Sequence, residues 1–578
     1  MRTKILLLII VLVAAVLRFV ALDKVPVSPY WDEVAIGYNA YSIAHTGKDE
    51  YGKAFPLLFQ SYDDYKMPGQ IYLSIIPIAL FGLNIFSTRF ISAFLGTVSV
   101  FVFYFLVKAL FDREYREKQH YKFGDMIAIT STFLLAISPW HIQFSRASFE
   151  ANSGLFFILL AAWLFIKGLD SGRYRLLSFI SFAASCYFYR SILVFVPLVL
   201  IADLLIFHKD LFAQKARKAS IMGIIVFVLL VIPVYYATFV GNGFNRAEQV
   251  SVSTELSQKV IDTSEIIGNS PVVKLGKIAL NRRFVMGEDV LHNYLTNFSF
   301  DFLFFSGDPN MRHSPREMGT LYLWEMISLL AGALMLLRLP WKIGIFIGSW
   351  ILFAPIPAAL SLPVPHALRS LNAAPMFALI SAIGLISLFV WIQNKRFKIV
   401  YSGVAGIVIL FFFVQYLYLY FAASPRLEAN DWGYGYQQLV QAVTSQQNRY
   451  KKIVITGYQW EPSEYFLFYT RYDPVLYQQS GSMMGFSNYI FGGAGWDIAR
   501  YHTTFEKINL KKFAGTNNAL YVLSPLEYKQ QIKVTSFKFG YKLVRKGTIY
   551  DMNHQPLFIF VIVTKRKLPR SSPLRIAQ

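Results

Sequence analysis

The feature that most constrains this chain is a succession of apolar runs of bilayer length, separated by short loops rich in lysine and arginine. A helix needs roughly 20 apolar residues to cross the hydrocarbon core. The first run, residues 5–22, is 18 residues long and follows Arg2 and Lys4. Leu22-Asp23-Lys24 offers no small-residue cleavage site, so the run reads as an uncleaved span that starts inside the cell. Further spans are expected near residues 89–111, 124–139, 151–169, 176–189, 192–207 and 221–240, then near 321–337, 343–360, 368–391 and 399–421, eleven in all.

On this map the basic loops share one side, the pattern of positive charge retained inside. They carry Arg113, Arg116, Lys118 and Lys122; Lys167, Arg173 and Arg175; Lys209, Lys215, Arg217 and Lys218; Arg338 and Lys342; and Lys395, Arg396 and Lys398. Residues 71–83 are also apolar, but the run is short and contains Pro77. It suits an interfacial or re-entrant helix in the outer leaflet. A crossing there would move every later basic loop outside.

Composition agrees. Hydrophobic residues make up 55% of the chain and charged residues 16%, against about a quarter charged in soluble proteins. Many of the cations behind the net charge of +22 fall in those loops, so it is no sign of a nucleic-acid partner. The single cysteine, Cys186, lies in an apolar stretch, which excludes a disulfide framework and a cysteine metal site. The expected fold class is a polytopic α-helical membrane protein with outer-leaflet juxtamembrane helices and a C-terminal α/β extracytoplasmic domain. The membrane domain covers residues 1–423, including a first external loop at 23–88 and a large one at 241–319. Residues 424–578 form the second domain, where helices near 434–443 and 462–469 alternate with strands near 452–456, 519–523 and 557–563. Its aromatics Trp432, Tyr434, Tyr436, Tyr458 and Trp460 are read as core rather than as a sugar platform.

The polar residues beside the spans converge on the outer face. Asp32 and Glu33 follow the first span, then Asp63, Asp64 and Lys66. Arg89 opens the second span, and Ser138-Pro139-Trp140-His141 with Arg146 and Glu150 closes the third. The long loop adds Ser306-Gly307-Asp308-Pro309-Asn310, Arg312, His313 and Arg316, and the ninth-to-tenth connection adds His366 and Arg369. Singly, each has an ordinary explanation as a turn, a cap or a snorkelling cation. Together, carboxylates beside several cations suit a phosphate leaving group and a hydroxyl that must lose its proton.

These residues resemble a known family. Trp31-Asp32-Glu33, then Tyr38, Gly52, Pro56 and Lys66-Met67-Pro68, are similar to the first external loop of GT-C glycosyltransferases, the relatives of protein O-mannosyltransferases and lipid A aminoarabinose transferases. Gly69 stands where that family has a second proline. The resemblance continues through Phe81-Gly82-Leu83-Asn84 and residues 89–96 to Ser138-Pro139 with Arg146, and to His366 with Arg369. It spans about the first 400 residues.

The resemblance implies an inverting, phospholipid carrier-dependent transferase with a polyprenyl-phosphate sugar as donor. Asp32 would be the general base and Glu33 its helper. Lys66, Arg89, Arg369 and His366 would contact the donor phosphate, with Tyr38, Asp64, Arg146 and Asp308 as further substrate contacts. A divalent metal is compatible with the hard oxygens of Glu33, Asp63 and Asp64, although nothing fixes a coordination set, and no other cofactor is indicated. The partners would be the lipid-linked donor, membrane lipids and an acceptor on protein, lipid or glycan at the cell membrane. A ligase or polymerase using a diphosphate-linked oligosaccharide is the main rival. A lipid or glycan transporter would show midplane charges and repeat symmetry, and a non-catalytic assembly protein would not need carboxylates and cations together.

Overall fold

The computed structural model describes residues 2–61, 64–115, 118–240, 281–457, 461–482, 485–492, 519–529 and 541–565. Helices occupy every segment read as a span, but their lengths divide them. Among the described residues, six are long and apolar enough to cross a bilayer: Ile85–Glu114, Glu150–Gly168, Arg217–Phe239, Trp341–Ala359, Leu371–Trp391 and Lys395–Leu427. A seventh results if the bent pair Phe123–Ile137 and Pro139–Ser145, inclined at 55°, is one span. Pro139 cannot donate a backbone hydrogen bond, and Ser138 caps the new helix by accepting from His141 N, so the chain turns there.

The first helix, α1 (Arg2–Phe19), carries Arg18 in addition to its two initial cations. Helices Gly172–Ser185, Arg190–Ile206 and Glu325–Leu336 have 14, 17 and 12 residues. Six to seven spans therefore meet a length-and-apolarity criterion, against the eleven expected, because several segments are short or charge-bearing. Residues 71–81 fall in a 14-residue helix, Pro68–Phe81, about 21 Å long and too short to cross upright.

Ion pairs gather the basic loops at one end of the bundle. Arg113 bonds Asp170 and Asp210, each at 2.9 Å, and Lys342 lies 3.4 Å from Asp210. Arg175 Nη1 donates to Ala216 O at 2.7 Å. The side chains of Lys118 and Lys122, and all of Arg116, lie outside the described residues. The outer helices expose apolar side chains such as Ile407 and Phe411, the surface that lipid tails would cover.

At the opposite end, α2 (Trp31–Thr46) follows α1. The strands β1 (Phe59–Ser61) and β2 (Asp64–Lys66) pair antiparallel, with Phe59 opposite Lys66. Then come α3 (Pro68–Phe81) and α4 (Ile85–Glu114). Pro68 sits at the start of α3, where its missing N–H costs nothing. Asn84 caps α4 by accepting from Ser87 N. Within the expected long external loop, residues 241–280 lie outside the described residues, and Arg282–Thr296 is a helix.

Beyond residue 424, a six-stranded mixed sheet runs in the order β4-β5-β3-β6-β8-β7. Its strands are β3 (Lys452–Ile455), β4 (Gly485–Phe486), β5 (Tyr489–Phe491), β6 (Ala519–Leu523), β7 (Tyr541–Tyr550) and β8 (Pro556–Lys565). The central β3 is parallel to β5 and β6. Helices Tyr436–Thr444 and Pro462–Thr470 pack together, with Tyr436 stacked on Tyr465 at 4.0 Å. Trp432 and Tyr436 are buried, as expected of core, whereas Tyr458 and Trp460 lie outside the described residues.

Candidate active site

The two carboxylates that open α2 have opposite surroundings. Glu33 is fully buried, and Arg89 grips it through Nε–Oε1 at 2.9 Å and Nη2–Oε2 at 3.0 Å. The backbone N–H of Ser148 donates to Oε1 at 2.9 Å, and that of Tyr30 to Oε2 at 3.3 Å. Arg89 spends its remaining donors on the carbonyls of Leu22, Pro26 and Ser28, at 2.8–3.0 Å. All five N–H groups of the guanidinium are thus engaged. Arg146 clamps the same segment from the other side, donating to the carbonyls of Leu17, Val20, Ala21 and Val25. Its guanidinium also lies 4.7 Å from the Phe421 ring.

The connection between α1 and α2 is therefore nailed down by two buried arginines. Glu33 and Arg89 hold α2 in place, and as placed here neither has capacity left for a substrate. Arg146, expected as a substrate contact, is buried and directed at the backbone carbonyls of Leu17, Val20 and Val25. Tyr38 is buried as well and donates its hydroxyl to Tyr472 O at 3.0 Å, tying α2 to the C-terminal region.

Asp32 faces outward instead. Its side chain is 29% exposed, and its Oδ1 contacts Lys66 Nζ. Lys66 ends the second strand of the β1–β2 hairpin, immediately before α3. Arg312 stacks its guanidinium over the Trp31 ring at 4.1 Å and Tyr30 at 5.0 Å, and it feels the charge of Asp32.

Two acids that sequence reasoning missed stand behind this pair. Glu50 and Glu464 are buried and face one another beside Lys66. Burial raises both carboxyls above the usual range. The charge of Glu464 adds to the rise at Glu50, while Lys66 opposes it at Glu464. Glu464 comes from helix Pro462–Thr470, so the C-terminal region contributes to the wall of the site. At the start of a helix Glu464 reads as an ordinary dipole partner, and no local signal marks it.

The second group of expected residues also meets. Asp308 is buried and accepts from His313 Nδ1 at 2.8 Å, from Ala367 N at 2.6 Å and from Asn310 N at 2.8 Å. His366 Nδ1 lies 3.9 Å from Asp308 Oδ2. Burial opposes ionisation of Asp308, but the two histidines and the Asn310 amide outweigh it and bring its pKa down to about 2. Burial, reinforced by Arg369, pushes the His366 imidazole well below its usual value. Arg369 Nη1 donates to Leu362 O at 3.0 Å. Trp140 Nε1 donates to Ala367 O at 2.9 Å and Gln143 Nε2 to Arg312 O at 2.8 Å, joining this group to the residues after the bend at Ser138.

Of the expected metal set of Glu33, Asp63 and Asp64, the Glu33 side chain alone lies within the described residues. Glu33 is committed to Arg89, Asp63 lies outside the described residues, and for Asp64 the backbone alone is described, opposite Ser61.

Residues 66–236 match the sequence pattern of the dolichyl-phosphate-mannose-protein mannosyltransferase family. No curated protein sequence matches the chain. Among solved structures it is similar to ArnT from Cupriavidus metallidurans bound to undecaprenyl phosphate. That match has a TM-score of 0.54 and 13% identity, over 96% of this chain and 97% of that one. It is also similar to the oligosaccharyltransferase AglB from Archaeoglobus fulgidus in complex with an inhibitory peptide and a dolichol-phosphate. There the TM-score is 0.52 and the identity 13%, over 98% of this chain and 75% of that one.

Proposed function

We propose that this chain, which shares its fold with ArnT and AglB, is a membrane glycosyltransferase of the GT-C type that moves a sugar from a polyprenyl-phosphate carrier to an acceptor hydroxyl. The reaction takes place at the outer face of the cell membrane, on an eleven-span membrane domain. The contrast between Asp32 and Glu33 carries the reading: one carboxylate is open and touches Lys66, and its neighbour is a buried anchor.

In this mechanism the phosphate of the donor competes for the Lys66 ammonium and releases Asp32. Asp32 then takes the proton of the acceptor hydroxyl. The acceptor oxygen forms its bond to the sugar's anomeric carbon as the bond from that carbon to the phosphate oxygen breaks. The electron pair leaves with the polyprenyl phosphate, and attack opposite the leaving group inverts the centre. The leaving phosphate needs no proton at neutral pH, only cations. Lys66, Arg369 and Arg312 supply them in this reading, while Arg89 braces the base rather than binding phosphate. The lipid carriers named with ArnT and AglB support a lipid-phosphate donor.

Purified full-length protein in lipid nanodiscs tests this with polyprenyl-phosphate sugars and candidate acceptors, read as free polyprenyl phosphate. Release that depends on acceptor is expected. Turnover of diphosphate-linked oligosaccharides alone would replace this reading with the ligase, and no cleavage of any lipid-linked sugar would overturn both.

A further inference from the structure

We propose that Asp308, His313 and His366 form a binding site for one divalent transition-metal ion of the zinc class. The site is independent of the transfer reading and differs from the carboxylate set suggested by sequence. The three side chains offer one carboxylate oxygen and two imidazole nitrogens, all within 4.8 Å of one another and all buried. Around a tetrahedral ion with bonds near 2 Å, ligand atoms stand about 3.3 Å apart. The Asp308–His313 separation of 2.8 Å and the Asp308–His366 separation of 3.9 Å bracket that value. Small shifts of side chains would thus admit the ion.

The donor set selects among metals. Two imidazoles and one carboxylate suit zinc, manganese or cobalt, whereas calcium and magnesium favour all-oxygen sites. The outer partners also fit a ligand cluster. Backbone N–H groups of Ala367 and Asn310 orient the Asp308 carboxylate, and Asn297 Oδ1 accepts from His366 N at 3.2 Å and Ser370 Oγ at 3.1 Å. Such partners fix the direction of metal ligands. An ion would displace the weak contact from Arg369 N to His366 Nδ1, at 3.4 Å, and the hydrogen bond between His313 Nδ1 and Asp308. The loop holding Asp308 and His313 meets the His366 segment through the Ala367 N–Asp308 hydrogen bond and the contact of the two imidazole rings, 4.8 Å between centroids. An ion would lock together the two segments that carry Arg312 and Arg369, and so fix Arg312 above Trp31.

The test is elemental analysis of the purified full-length protein after exposure to zinc and removal of excess. We expect about one zinc per chain, with more than tenfold less retained by His313→Ala and by His366→Phe. His366→Cys, which restores a ligand, is expected to recover binding. Zinc is expected to raise the Tm of the wild type by several degrees, and a chelator to reverse it. Equal zinc in wild type and in His313→Ala, or no zinc and no Tm shift in the wild type with zinc or manganese, overturns the site. The wild-type readings decide the matter if a variant fails to fold.

Discussion

Asp32 and Glu33 are adjacent acids, and helical phase sends them to different surroundings: about 100° of rotation separates neighbours on a helix. Glu33 turns inward to Arg89, and Asp32 turns to Lys66. Their chemistry was legible in the sequence, but their division of labour was not. Arg89 reads equally well as a snorkelling cation, and Glu33's other partner, Ser148 N, is a backbone group with no sequence mark. The structure separates their predicted effects. Glu33→Ala leaves a buried guanidinium without its carboxylate and should cost about 3–5 kcal/mol of stability, seen as a large fall in Tm in detergent. Asp32→Asn keeps an amide oxygen against the buried Lys66, whose charge still meets Glu464, so it should lower Tm less than Glu33→Ala does.

At the scale of elements, the contact that matters is α2 against α4 and helix Pro462–Thr470. Gly37 makes it close: a Cβ there would lie 2.7 Å from the Phe468 ring and 2.8 Å from Thr88 Oγ1. Gly37→Ala should therefore cost about 1–3 kcal/mol and loosen the C-terminal region from the site, measurable as lower Tm together with slower transfer. The same contact carries the Glu50–Glu464 pair. Their carboxyls are raised from the ordinary value of 4.5, so between that value and the raised one the folded protein holds protons that the unfolded chain has lost. Stability contributed by the pair falls as pH rises through that window and levels off above it. Tm measured from about pH 5 to about pH 8 should fall more steeply in the wild type than in Glu464→Gln. Equal slopes would remove the pair as the cause. The strands at Lys452–Ile455, Ala519–Leu523 and Pro556–Lys565 are where the sequence puts them, whereas the ten-residue β7 was not expected. Nor were the short strands β4 and β5, because two or three residues carry no periodicity.

For the whole molecule, polar side chains cluster at two opposite ends of an apolar bundle. One end holds the Arg113–Asp170–Asp210–Lys342 network, and the other holds Asp32, Lys66, Asp308 and His366. Hydropathy and loop charge made that separation readable from sequence. The pairing across the second end was not readable, since it joins residues hundreds of positions apart. Orientation can be measured directly, because the sole cysteine is buried and leaves a clean background. In intact cells Phe55→Cys should react with a membrane-impermeant thiol reagent and Lys209→Cys should not. The opposite pattern would invert the topology.

The most direct test of the central claim compares wild type with Asp32→Asn in a single turnover, following donor binding and sugar transfer separately. Donor binding should be nearly unchanged, and transfer should slow by roughly 10²–10⁴-fold, the range for a lost general base. Transfer at the wild-type rate by Asp32→Asn would contradict the account.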